Sequence, residues 1–168
     1  MPKTYEPIAT TTLTSSQNDI TFSSINGTFT DILVVAFMKL SNNANSSVAF
    51  QVNGDTGSNY STTRLQGDGT TPESGRSSNV ASGNFSGNSL RVADSAGNFS
   101  PILFNMMNYA NTTTNKTFLA RGNNASAGVG ASVSLWRSTA AITSLRIFPV
   151  VGTIDTGTIV TLYGIKAA

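Results

Sequence analysis

The sequence predicts an all-β protein: a single antiparallel β-sandwich, jelly-roll-like, with about ten strands. Three observations support this fold class. Short segments alternate apolar and polar residues with a period of two, Gly- and Asn-rich turns separate these segments, and no segment shows the period of an amphipathic helix. The length of 168 residues suits one domain, which we assign to residues 1–168, with residues 1–6 as an extended N-terminal arm.

The clearest alternation lies in residues 129–148. Apolar residues occupy every second position from Val129 to Leu135, and alternation resumes at 143–148 after a polar break. Two such runs joined by a short polar segment predict a β-hairpin in the sandwich core. Trp136 ends the first run, and its large ring must lie either in the core or on a contact surface.

The remaining predicted strands lie between turn-forming segments. In chain order they are 7–14, 19–24, 31–40, 48–52, 61–66, 101–109, 116–121 and 157–166. Residues 31–40 are the most apolar run, which predicts a central strand buried on both faces. Residues 67–79 contain three glycines, one proline and no apolar residue, so we predict a long loop there that makes a functional contact.

The composition disfavours several classes of function. Only 11% of the residues are charged, against roughly 25% in ordinary globular proteins, so Ser, Thr, Asn and Gly must cover the surface. The chain has no Cys and no His, which removes disulfides, thiolate zinc sites and every Ser-His or Cys-His catalytic pair. We therefore predict a protein that is not an enzyme, without cofactor or metal. The chain has no basic run and no long apolar segment, so we predict that it binds neither nucleic acid nor a membrane.

Acidic residues supply the motifs that resemble chemistry. Two Asp-Thr-Gly sequences, at Asp55 and Asp155, resemble the turns with which aspartic proteases hold two carboxylates around one proton. Asp and Gly are also common turn residues between strands, and we favour that interpretation. Two alternatives use Asp55, Asp68 and Glu73: a loop-bound cation, or a glycan-cleaving pair drawn from these residues and Asp94.

Aromatic and arginine side chains are the candidate contact residues. An aromatic ring can stack on a sugar or pack in a core or subunit interface. The planar guanidinium of Arg is favoured at protein interfaces. The candidate interface or ligand contacts are Tyr60, Arg64, Arg76, Phe85, Phe99, Tyr109, Trp136 and Arg137.

Five segments carry a resemblance to a known family. They are TYEPIATTTL at 4–13, NGDTGSNYS at 53–61, NYANTTT at 108–114, LWRSTAAI at 135–142 and LYGIKAA at 162–168. In this order they resemble small virion structural proteins of tailed phages, especially phages of cyanobacteria and other marine bacteria. The resemblance runs from residue 4 to the end and departs from the family pattern in the loops at 67–100. It implies a virion structural role and no catalytic residues.

Together these observations predict a non-enzymatic structural protein on the exterior of a virion. The first hypothesis is a capsid decoration or knob protein, a homo-oligomer such as a trimer, that acts through contacts with its own copies and with other virion proteins. The alternative is a tail-fibre or tail-tip module that recognises a host surface glycan through residues 67–79 and 84–100. The number of copies per particle distinguishes the two hypotheses.

Overall fold

The computed structural model describes residues 4–41, 46–85, 98–124 and 128–166. Within these ranges the chain is all-β and forms twelve strands in two antiparallel sheets, which confirms the predicted antiparallel β-sandwich. The strands are β1 Tyr5–Thr12, β2 Ile20–Phe22, β3 Asp31–Met38, β4 Val48–Val52, β5 Tyr60–Gly67, β6 Pro72–Val80, β7 Gly83–Asn84, β8 Ser100–Met106, β9 Lys116–Asn124, β10 Gly128–Trp136, β11 Leu145–Pro149 and β12 Ile159–Ile165. In the described ranges no helix is long and apolar enough to cross a membrane.

The two sheets differ in size. The larger has eight strands in the order β1-β12-β3-β8-β9-β10-β5-β6, and the smaller has four in the order β2-β11-β4-β7. The first strand and the last therefore lie side by side. Tyr5 pairs with Ile165 and Glu6 with Gly164, so these two residues belong to the edge strand rather than to the predicted N-terminal arm.

Aromatic rings join the two sheets. The ring of Phe50 on β4 lies with its centroid 4.8 Å from that of Phe104 on β8 and 4.7 Å from that of Phe118 on β9. Phe85, just after β7, stacks on Phe104 with centroids 4.2 Å apart. Gly83 faces Phe50, and a Cβ there would collide with its ring, so a glycine is needed for β7 to approach.

The predicted hairpin at 129–148 is wrong. Strand β10 lies between β5 and β9 in the large sheet, whereas β11 lies between β2 and β4 in the small one. Residues 137–144 carry the chain from one sheet to the other. Asn53 holds this connection, because its Nδ2 donates to the Ala141 carbonyl at 2.8 Å and its Oδ1 accepts the Thr143 amide at 2.8 Å.

The predicted long loop at 67–79 is also wrong. Residues 72–80 form β6, which pairs with β5 in a hairpin. The carboxylate of Asp68 organises the turn by accepting the amides of Thr70 and Thr71, both at 2.8 Å. This strand contains few apolar residues because it lies at the edge of the sheet and is exposed along most of its length. Of the second predicted contact loop, 84–100, residues 86–97 lie outside the described ranges.

Strand β3 differs from its predicted burial, and it is strand β4 that is buried along both rows. Strand β3 was expected to be buried on both faces, but Phe37 is 50% exposed while Val34 and its inward-facing neighbours are buried. In strand β4 the large apolar residues Val48, Phe50 and Val52 alternate with Ala49 and Gln51, and all five residues are buried. Gln51 on its second face donates to the Ala81 carbonyl at 3.0 Å and accepts from Arg146 at 3.1 Å, so polar contacts cover that face.

Candidate functional site

Strand β10 places its apolar row outside the domain. Val129 and Val133 are 61% and 49% exposed, whereas Ser132, Ser134 and Trp136 are buried. The strand therefore presents its small polar row to the interior. The sequence predicted that the apolar row of β10 belongs to the core. In the structure this row is part of the protein surface.

Hydrogen bonds explain why serines can face inward on β10. The hydroxyls of Ser134 and Thr62 lie 2.7 Å apart, on neighbouring strands. Ser132 Oγ donates to the Asn84 carbonyl of β7 at 3.2 Å. Strand β7 passes close over this part of the sheet, so only small side chains fit beneath it. Its Asn84 carbonyl accepts a hydrogen bond, which satisfies the buried serine hydroxyl.

The outer face is our name for the side of the eight-stranded sheet that points away from the four-stranded sheet. Its central six strands carry mainly apolar side chains. They are Leu33, Val35, Phe37, Leu65, Pro101, Leu103, Leu119, Val129, Ala131, Val133, Leu135, Ile159, Tyr163 and Ile165. On these strands the only charged side chains that point the same way are Asp31, at the end of β3, and Arg121, near the middle of β9.

Cross-strand neighbours make the apolar area continuous. One row across the sheet runs Val35, Leu103, Arg121, Ala131 and Leu65. Leu65 is the most exposed large apolar side chain of this row, at 64%. Contiguous apolar surface of this kind is uncommon on soluble monomers and marks a contact surface.

A shallow groove crosses the outer face above β9. It has a volume of about 400 Å³ and lies between Pro101 and Leu103 on β8, Arg121 on β9, and Val129 on β10. Its lining is apolar apart from the Arg121 guanidinium and the side chain of Asn123. The groove is therefore suited to an apolar side chain of another molecule rather than to a charged ligand.

Two of the predicted contact residues form a buried pair. Tyr60 is fully buried and Trp136 is 3% exposed, and their rings stack with centroids 6.5 Å apart. The Tyr60 hydroxyl accepts the Val52 amide at 3.1 Å and donates to the Asp55 carbonyl at 3.1 Å. Burial raises the pKa of Tyr60 to about 12. Neither ring can contact a glycan or partner from this position, so these two candidates are corrected to core residues.

Phe85 and Tyr109 are also fully buried and are corrected in the same way. Phe85 belongs to the aromatic group between the sheets. The Tyr109 hydroxyl donates to the Asn26 carbonyl and accepts the Phe29 amide, and burial raises the pKa of this hydroxyl. Both side chains had been candidates because large aromatic rings suit cores and contacts equally.

The other four candidates lie at the surface but not together. Arg64 is half-buried and its guanidinium packs over Gly75 of β6. Arg76 is exposed on the edge strand, and Arg137 donates to Ser61 Oγ after β10. Phe99 is 44% exposed before β8, with its ring against Gly157. The structure therefore does not assemble the predicted candidates into one site.

Asp55 has a structural role. Its Oδ2 accepts the Trp136 Nε1 hydrogen at 2.6 Å and the Asn59 Nδ2 hydrogen at 2.9 Å, and its Oδ1 accepts the Gly57 amide at 2.8 Å. The indole hydrogen bond is the main reason that the pKa of this carboxyl lies below its usual value. Both carboxylate oxygens are thus engaged in fastening the turn after β4 to the end of β10.

The second Asp-Thr-Gly sequence is also a turn. Asp155 Oδ1 accepts the Thr156 amide at 2.8 Å and the Ser16 hydroxyl at 3.0 Å, and Oδ2 pairs with Lys39 at 3.1 Å. The Thr156 amide and Lys39 lower the pKa of this carboxyl. The two Asp residues have separate partners, so the turn interpretation is confirmed.

Of the remaining acidic candidates, Asp68 and Glu73 lie in the β5–β6 hairpin, and Asp68 also borders an open depression of about 520 Å³ together with Gly128 and Val129. Glu73 accepts from Gln66 at 2.6 Å, and together with Asp68 it borders a cavity of about 30 Å³, room for about one water molecule. The hydrogen bonds from Thr71 and Thr70 lower the pKa of Asp68 to about 2. Asp94 lies outside the described ranges. Among the residues that the structure describes, no three side chains of the His, Cys, Asp or Glu type come together as a metal site.

Sequence reasoning missed the outer face. Leu65 and Leu119 lie in segments that looked ordinary, and Phe37 was assigned to a strand covered on both sides. The signal was nevertheless present in β3, because a strand with apolar residues in both of its rows needs cover on both faces. The isolated domain covers one of them.

Comparisons with known proteins identify no family. No protein-family model matches the chain, and no curated protein sequence is significantly similar to it. Among solved structures, the chain is similar to the exo-inulinase from Aspergillus awamori, with 13% identity and a TM-score of 0.37. The similarity covers 97% of this chain and 29% of that enzyme, and at this TM-score it gives no basis for assigning an activity.

Proposed function

We propose that this protein is a non-enzymatic virion structural protein on the exterior of a phage particle. In this role it is a capsid decoration or knob protein that acts as a homo-oligomer through protein–protein contacts. Binding to the assembled lattice would stabilise the assembled state by mass action, because a ligand that binds only one state favours that state.

The observation that carries the proposal is the apolar outer face. Val129 and Leu65 are each more than 60% exposed and Val133 is 49% exposed, and few charges interrupt the area around them. A free monomer with 11% charged residues would depend on its surface polarity for solubility, yet this face is apolar. A subunit of an assembly has no such requirement once the face is covered.

The resemblance to small virion proteins of tailed phages supports the virion part of the proposal. Its matching segments include both terminal segments and the turn at 53–61. Asp55, Asn59 and Tyr60 of that turn form the hydrogen bonds that fasten it to the core. The residues of this turn that carry the resemblance are therefore also residues that stabilise the fold of the domain.

The test is to locate the protein on purified particles and to count its copies. We expect hundreds of copies on the head lattice, measured by quantitative mass spectrometry and particle imaging. Particles from a phage that lacks the gene should assemble but lose DNA at a lower temperature than wild-type particles, and added purified protein should restore the difference. Absence of the protein from purified particles would contradict any virion role.

A second candidate function is a receptor-binding module of a tail fibre or tail tip. It is favoured by the β5–β6 hairpin, whose edge strand exposes a polar surface that includes Glu73, Ser74 and Arg76. Polar and charged side chains of this kind can form hydrogen bonds with sugar hydroxyls. A few dozen copies at the tail would favour this function over decoration, and Arg76→Ala should then reduce adsorption to host cells.

A further inference from the structure

The outer face has the size of a stable protein interface. With neighbouring strands about 4.8 Å apart and a rise of about 3.3 Å per residue, six strands of seven residues cover roughly 700 Å². Standard specific interfaces bury about 800 Å² on each partner, and crystal-packing contacts bury about half of that or less. The whole face is therefore close in size to one side of a standard specific interface.

The chemistry of the face favours a second copy of the same chain. Interfaces between identical subunits are more apolar than other interfaces, and the described strands of this face carry few charges: Arg121 near the centre, Asp31 at the end of β3 and Arg76 on the edge strand β6. It therefore offers no charge pattern to select a charged partner. Two copies of one sheet also have the same twist, so they can stack in the aligned manner of a β-sandwich, about 10 Å apart.

The shape of the outer face is complementary to itself, because it has both a protruding side chain and a groove. Leu65 protrudes from β5, and the groove bordered by Leu103, Arg121 and Val129 lies above β9, about 10 Å away across two strand spacings. Ala131 on β10 lies between them in the same cross-strand row. A two-fold axis near Ala131 would insert each Leu65 into the groove of the other copy, and the small alanine permits close approach at the axis.

We propose that two copies of this chain associate face to face through the outer face, with Leu65 of each copy in the groove of the other. The resulting dimer is the unit that a larger assembly would use. Because the axis runs along β10, it places β5 over β9 and β6 over β8 of the other copy, so five strands of each face take part and β3 and β12 lie outside the contact. In this proposal a dimer, rather than the predicted trimer, is the smallest oligomer.

The first experiment measures the mass of the purified protein in solution by analytical ultracentrifugation. We expect a dimer for the wild-type protein. Leu65→Lys should raise the dissociation constant of this dimer about 30-fold or more, which corresponds to about 2 kcal/mol. The matched control is Val150→Lys, because Val150 is exposed to a similar extent, 60%, and follows β11 away from the outer face. This control should leave the dimer intact.

The second experiment uses the absence of cysteine from the chain. In Ala131→Cys the single thiol lies near the proposed axis, so a short thiol-to-thiol crosslinker should join two copies in high yield. Val150→Cys should give no crosslinked dimer. Circular dichroism and thermal unfolding of each variant establish that it is folded before its mass is interpreted.

Three results would overturn the proposal: a wild-type monomer at high micromolar concentration, a trimer, or a dimer that folded Leu65→Lys does not weaken. Its failure is distinguishable from failure of the virion role, because these measurements use purified protein and the virion role is tested on particles. A monomeric protein found on the head lattice would remove the dimer and keep the decoration function.

Discussion

The two faces of the eight-stranded sheet carry similar apolar side chains but differ in what covers them. On the inner face Phe104 is fully buried and packs between Phe50, Phe85 and Phe118. On the outer face Phe37, one strand away, is half-exposed. The difference shows that an apolar row identifies a face that needs cover. The four-stranded sheet covers the inner face, whereas for the outer face we propose cover by another molecule.

The largest expected effect tests the inner face. Phe104→Ala should lower the free energy of unfolding by about 3–5 kcal/mol, because it removes a buried ring and leaves a cavity between the sheets. Phe37→Ala, measured in the Leu65→Lys background so that self-association does not contribute, should cost about 1 kcal/mol or less. Urea denaturation measures both values. Equal losses would contradict the contrast between the faces.

The second prediction concerns the inward serines of β10. Ser134→Val should destabilise the domain by about 1–3 kcal/mol even though it makes the interior more apolar, because it removes a hydroxyl partner from buried Thr62. Urea denaturation is again the measurement. A stabilised Ser134→Val variant would mean that the polar row does not need its hydrogen bonds.

The third prediction concerns the carboxylate that fastens β10 at its end. Asp55→Asn and Trp136→Phe should each cost about 1–2 kcal/mol at neutral pH, because both disrupt the hydrogen bond from Trp136 Nε1 at a partly solvated site. Asp55→Asn removes the charge and sets an NH2 group against one of the donors, whereas Trp136→Phe removes the Nε1 donor. The double variant should cost less than the sum of the two single variants, since both act on the same bond.

The pH dependence of the wild-type protein sharpens this prediction. The pKa of Asp55 is lower in the folded protein than in the unfolded chain, where it is about 3.8. The unfolded state therefore binds the proton more readily. The ionised Asp55 carboxylate stabilises the folded state fully at a pH above the unfolded-state pKa, and this contribution is lost as the pH falls through the folded-state pKa. Thermal unfolding of Asp55→Asn should accordingly change less between about pH 5 and pH 2 than that of the wild-type protein.

The smallest expected effect tests the outer row of β10. Val133→Ser should change the free energy of unfolding by no more than about 0.5 kcal/mol in the Leu65→Lys background, because Val133 is 49% exposed in the isolated domain. The same substitution alone should weaken the proposed dimer. A loss as large as that of Ser134→Val would show that the outer row is covered within the domain.

The strands themselves were predictable from the sequence, because alternation depends on neighbours in the chain. Segments 48–52, 116–121 and 157–166 coincide closely with β4, β9 and β12. Strand β6 was missed because an edge strand exposed on both sides has no apolar row to recognise. Strand β7 was missed because two residues cannot show a period.

The candidate site was much less predictable. Tyr60, Phe85, Tyr109 and Trp136 were selected as large rings, and all four proved to be buried. A ring that packs in a core and a ring that contacts a partner have the same local sequence requirements. The residues of the outer face are ordinary strand residues, and only their position beyond the reach of the four-stranded sheet makes them accessible.

By itself, the sequence determined the fold class, the positions of most strands, and a chain without cysteine, histidine or a basic run. The tertiary structure decided which row of each strand is inside. On β10 the choice depends on Ser132 meeting the carbonyl of Asn84, 48 residues earlier in the chain, and on the hydroxyls of Thr62 and Ser134, which are 72 residues apart. Alternation fixes the spacing of two rows but not their direction, because direction is set by which distant segment packs against the strand.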